Sequence, residues 1–164
     1  MTLRLVLDTN VWLDWLVFGD AGVAPLRAAV VAGQAEILID AACESELASV
    51  LAYRLQKKVL TASAQAACMA ECRCVARMLE SAGARPGRSV TPAHDERLPV
   101  CRDADDQKFL ELARDCRAEF LVTKDRELLR LARRTIRRAP FRIVTPAQLN
   151  AALTTATTPS IGSS

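Results

Sequence analysis

The chain has 164 residues, of which 51% are hydrophobic and 25% charged, and its formal net charge is +3. That length suits one domain with a substantial buried core, and the composition is that of an ordinary soluble globular protein. No run approaches the roughly 20 apolar residues that span a bilayer, and the polar Asp8-Thr9-Asn10 breaks the N-terminal apolar run too early for a signal peptide. A cytoplasmic protein is therefore expected.

In chain order, Leu3 to Leu7 reads as a first strand, followed by a helix with Val11, Leu13 and Leu16 among its apolar positions and Trp12 and Trp15 on a neighbouring face. Residues 23–34 read as a second helix, with Pro25 in its first turn and Gly33 at its end. Ala35 to Asp40 is a short apolar run, hence a second strand. The segment 41–58 is then helical, and a long Ala-rich helix without Gly or Pro is expected from Thr61 to Ala82. Pro and Gly break up residues 83–106, where a short strand is expected near Leu98 to Cys101. An amphipathic helix from residue 104, a strand at "AEFLVTKD", a helix at "RELLRLARR", a strand at "FRIVT" and a last helix opened by Pro146 complete the pattern. The domain is expected to occupy residues 1–153, and the small polar tail 154–164 to be disordered. Alternating strands and helices imply a parallel sheet covered on both faces, with ligands beyond the carboxyl ends of the strands.

Six cysteines include the cluster Cys68, Cys72 and Cys74, but there is no CxxC pair and the single histidine, His94, is distant. Thiols packed as small apolar groups are preferred over a zinc site. The charge is unevenly spread: residues 126–142 hold seven arginines against one glutamate. Such a stretch suits a polyanion, or is simply a solvated basic helix face.

Two strands end alike, at Asp8 and at Asp125. A carboxylate at the end of a buried strand loses hydration and needs donors or a cation. In a parallel sheet both lie at one edge, and if the strands are neighbours, about 5 Å apart, the two acids converge. Asp106 opens the helix before the fourth strand. Glu46 shares a helical stripe with Cys43, Leu47 and Val50, which turns it toward the protein. Each acid also has a plain structural role open to it: Asp8 and Asp125 as helix N-caps, Asp103 and Asp106 at the favoured spacing of a helix start, Glu46 reaching to solvent. Four unrelated caps have no reason to share one edge, whereas clustered carboxylates need something to neutralise them. An all-oxygen set suits a hard ion, Mg²⁺ or Mn²⁺, and such ions support hydrolysis at phosphorus.

The segments "VLDTNVWL", "SELASVL", "RDADDQKFLELA" and "AEFLVTKDRELL" resemble, in this order, the four signature segments of the PIN-domain nucleases. The resemblance runs from Leu3 to about Leu153 and is nearest to the branch described as toxin components of type II toxin–antitoxin modules. It implies an α/β fold, a three-layer α/β/α sandwich around a parallel sheet of about five strands. It also implies an endoribonuclease that uses Mg²⁺ or Mn²⁺ and leaves a 5′-phosphate and a 3′-hydroxyl. Carried over residue by residue, Asp8, Glu46, Asp106 and Asp125 match the four acids of the family's motifs, the expected catalytic and metal-binding set. Within that set Asp8, Glu46 and Asp106 are expected to hold the main ion, directly or through water, and Asp125 to complete the site and orient the attacking water. Asn10 and Thr123 match its polar supports, while Glu44 competes with Glu46, and Asp103 or Asp105 with Asp106. Lys124 stands where the branch often has Gly, and with Arg126 is a candidate RNA contact. The resemblance further implies an antitoxin protein as partner and a homodimer, for which Trp12 and Trp15 offer one surface, burial in the core being their commoner fate.

Other readings are weaker. A phosphatase of the haloacid-dehalogenase type needs a second aspartate where Asn10 stands. A response-regulator receiver is shorter and does not suit the long helix expected from Thr61. A catalytically silent RNA- or protein-binding module and an RNA-processing nuclease that is not a toxin both remain compatible with the motifs.

Overall fold

A computed structural model describes residues 1–53, 55, 58–80 and 98–157, apart from the side chains of 135–138 and 156–157. Its sheet has five parallel strands in the order β3-β2-β1-β4-β5. These are β1 (Leu3–Leu7), β2 (Ala35–Asp40), β3 (Ala76–Leu79), β4 (Phe120–Val122) and β5 (Arg142–Val144). Between and after them come α1 (Thr9–Leu13), α2 (Ala24–Val31), α3 (Ala41–Ala52), α4 (Ala62–Val75), α5 (Gln107–Asp115), α6 (Arg126–Arg138) and α7 (Pro146–Thr157).

Consecutive strand residues point to opposite faces, and Leu5, Val6 and Leu7 of β1 are all buried, as are Ile37, Leu38 and Ile39 of β2. Both faces of the central sheet are therefore covered, which makes the three-layer α/β/α architecture and explains why these strands read as unbroken apolar runs. α2 and α7 pack on each other and on the sheet, while α5 rests on β1 and β4 and contacts α3. Trp12 and Trp15 lie in the core with ring centroids 6.1 Å apart. Trp15 also donates its indole N–H to Glu71 and lies under the Arg27 guanidinium. The two tryptophans thus offer no interface.

Local chemistry sets the boundaries. Asp40 caps α3 by accepting the Cys43 N–H at 2.9 Å, and Thr61 caps α4 by accepting the Ala64 N–H at 3.1 Å. α1 passes directly into a π-helical turn, Asp14–Phe18, closed by Gly19 at φ 57°, a left-handed conformation that glycine adopts without steric cost.

Four expectations need correction. The third strand is β3, not Leu98 to Cys101, which is irregular. The helix expected from Thr61 to Ala82 ends at Val75, because the chain turns extended at Ala76 to pair with β2. Ala, Arg, Met and Leu all favour helix locally, so only the tertiary pairing reveals this edge strand. The third helix stops at Ala52 rather than running on to 58, Tyr53 being extended. At the C-terminus, residues 154–157 belong to α7 rather than to a disordered tail. The expected tail beyond 157 and the Pro- and Gly-broken stretch 81–97, with His94, lie outside the described residues.

All six cysteines are free thiols and five are buried. Burial pushes Cys43 well above the ordinary thiol range and Cys72 up to about 12, so these act as small apolar groups. Among the described residues no helix is long and apolar enough to cross a membrane.

Candidate active site at the carboxyl edge of the sheet

β1 and β4 are neighbours, with Leu7 opposite Val122, so the residues just beyond them meet. The Asp8 N–H donates to the Val122 carbonyl at 2.9 Å, and the Thr123 N–H to Val144 at 2.9 Å, fixing both positions by backbone ladder bonds. Asp8 is 3% exposed and Thr123 fully buried. The Thr123 hydroxyl donates to Asp8 Oδ2 at 2.7 Å and accepts the Asp125 N–H at 2.9 Å. One hydroxyl thus ties together the ends of both strands.

The Asp8 carbonyl receives the first N–H groups of α1, yet its side chain makes no capping bond. The carboxylate is held instead by the Thr123 hydroxyl at Oδ2. Burial raises its pKa and Asp125 raises it further, while Thr123 and the N–H groups of Thr9 and Asn10 pull it down. Asp125 does cap a helix: its Oδ1 accepts from Glu127 and Leu128 at 2.7 and 3.1 Å, which leaves Oδ2 without a partner among the described residues. Asp106, at the N-cap position of α5, makes no capping bond. Burial first, then the charges of Asp8, Asp125, Asp103 and Asp105, push its carboxyl up to about 6. That dependence places Asp106 in one electrostatic cluster with Asp8 and Asp125.

The competing acids separate by position. Glu46 reaches the end of β1, where its Oε1 accepts the Thr9 hydroxyl at 2.7 Å and its Oε2 pairs with the Lys108 ammonium. Glu44 instead faces α4 and pairs with Arg73 at 2.5 Å. Asp103 and Asp105 are exposed, Asp103 accepting the Asp105 N–H at 3.0 Å in a local turn. Asn10 is exposed in the first turn of α1. Lys124 is committed to the buried Asp14 at 2.5 Å, and so anchors the π-helical turn to the end of β4. Arg126 is exposed in the first turn of α6 and makes no ion pair with a described residue.

Thr9, Asp14 and Lys108 escaped sequence reasoning. Lys108 did leave a signal: it stands in the first turn of α5, where the helix dipole disfavours a cation unless an acid lies nearby. Thr9 and Asp14 left none, because a hydroxyl after a strand and an acid within an apolar helix each have commoner explanations.

Among the described residues no three acidic, cysteine or histidine side chains already converge so as to hold an ion. The donor set nevertheless fits a hard cation. Asp8, Asp106 and Asp125 offer only oxygens, and no Lys or Arg among the described residues pairs with any of them. Uncompensated like charges keep apart, so ligands drawn together by an ion need not touch without it.

A family model described as PIN domain matches residues 4–127, well over half of the chain. No curated protein and no solved structure matches it.

Proposed function

Because the chain belongs to the PIN-domain family, whose members are generally nucleases that bind divalent ions, we propose that it is a metal-dependent endoribonuclease and the toxin of a type II toxin–antitoxin module. The observation that carries this reading is the buried Asp8, tied through Thr123 to Asp125 and coupled in charge to Asp106, with no Lys or Arg among the described residues paired to any of the three. Asp8, Asp106 and Asp125 would hold Mg²⁺ or Mn²⁺, with Glu46 beside them. Such an ion, when bound, supplies an acidified water and neutralises charge on the phosphate.

The chain's own residues do the rest. Thr123 holds Asp8 in one orientation. The Oδ2 of Asp125, without a partner among the described residues, is available to accept a hydrogen bond from the attacking water, while Oδ1 stays fixed by the α6 amides. In-line attack on a phosphodiester would leave a 5′-phosphate and a 3′-hydroxyl. Arg126, and beyond it the exposed Arg133 and Arg134 of α6, give the RNA backbone a cationic track that begins at the acidic edge. Lys124, spent on Asp14, has a structural task and is the weaker RNA contact. In the cytoplasm such an enzyme needs an antitoxin protein to silence it, and a homodimer is the form in which we expect it to act.

The test is cleavage of a mixed pool of structured and single-stranded RNAs with Mn²⁺, Mg²⁺ or chelator, beside the Asp106→Asn variant. Cleavage that needs metal and disappears in the variant supports the assignment. A folded protein that binds no metal and cuts nothing would instead be a silent RNA-binding module. Growth arrest on expression, relieved by Asp8→Asn, separates a toxin from an RNA-processing nuclease.

A further inference from the structure

Lys108 lies two residues beyond Asp106, in the first turn of α5. Its ammonium is directed across to α3, where it pairs with Glu46, and its side chain is only 24% exposed. Glu46 is held at its other oxygen by the Thr9 hydroxyl, so both carboxylate oxygens are engaged. Lys108 also lowers the pKa of Cys43, which Asp8 raises, so the ammonium and the strand-end carboxylate act on the same buried thiol. Of the four acids at this edge, Glu46 alone has a resident cation among the described residues.

We propose that Lys108 is a positioning residue that competes for Glu46, so that the free protein offers a divalent ion only Asp8, Asp106 and Asp125. The inference rests on the metal-dependent nuclease reading. A cation that must be displaced before Glu46 can serve lowers the site's affinity by the free energy of that pair. Freeing Glu46 adds a fourth carboxylate and removes a like charge, and both favour the ion.

Mn²⁺ binding to the full chain, titrated without nucleic acid by calorimetry or by the spin resonance of free Mn²⁺, tests this apart from activity. Lys108→Met should bind Mn²⁺ about fivefold more tightly or better, at the lower end of typical site-to-site coupling. Adding Glu46→Gln to Lys108→Met should return the affinity to within about twofold of wild type, and Lys108→Arg, which keeps the pair, should stay there throughout. If Lys108→Met does not fold, Lys108→Gln carries the same expectation. Unchanged or weaker binding in the Met or Gln variant overturns the inference, because the pair would then be a simple clamp between α3 and α5. A gain that survives Glu46→Gln overturns it too, since the effect would not pass through Glu46. If neither wild type nor variant binds Mn²⁺, the nuclease reading fails and takes the inference with it.

Discussion

Asp106 and Thr123 act on the same cluster in opposite senses. Burial and four like charges disfavour the charged form of Asp106 and push its carboxyl up to about 6 when folded, against 3.8 for the ordinary group. Between those values the folded state keeps a proton that the unfolded state has lost, so this group's contribution to stability falls as pH rises from about 4 to 6. Asp106→Asn should therefore flatten that part of the metal-free pH–stability profile. At pH 7 it should raise stability by about 1 kcal/mol after solvent screening, or about 2–4 °C in Tm. Denaturation across pH checks the sign: a variant less stable than wild type at pH 7 would mean that Asp106 has a supporting partner. Thr123→Val keeps the shape but leaves Asp8 without its hydroxyl donor. It should cost about 1–3 kcal/mol in urea unfolding, and Asp8 should titrate higher still, because that bond now favours the ionised form.

At the scale of elements, α6 joins the site to the basic stretch of the chain. Leu128 and Leu131 turn into the core, while Arg126, Arg133 and Arg134 face solvent. Changing Arg133 and Arg134 together to Gln should weaken RNA binding at low salt and reduce the slope of log affinity against log salt by about 1.4, roughly 0.7 per lost phosphate contact. An unchanged slope would make the stretch a merely solvated face. The elements also show where a sequence stops being informative. β1, β2 and the acids at the strand ends were legible because buried parallel strands are unbroken apolar runs and because a charge at the end of such a run is unusual. β3 was not legible, since its four residues suit a helix and only their pairing with β2 makes them a strand. Glu46 was legible from its stripe, but its choice over Glu44 depends on which partner each meets, Lys108 or Arg73. That is information about neighbouring helices, and it lies outside the local pattern.

For the whole molecule, the strand order places β1 at the centre, between the earlier crossovers to β2 and β3 and the later ones to β4 and β5. Chain direction across the sheet reverses between β1 and β4, the place where open α/β sheets bind ligands. Leu5 is fully buried in β1, so Leu5→Ala should cost about 2–5 kcal/mol, and cleavage should fall only as far as the folded fraction does. An activity loss beyond that fraction would show that β1 packing also tunes the position of Asp8. The same order has a consequence for synthesis. The hydroxyl that orients Asp8 is translated 115 positions after it. The central strand has no neighbour on one side until Phe120–Val122 has been translated. A growing polypeptide on the ribosome therefore holds Asp8 well before Thr123 exists to orient it, and under the nuclease reading proposed above the acidic edge is assembled only after β4 has been added.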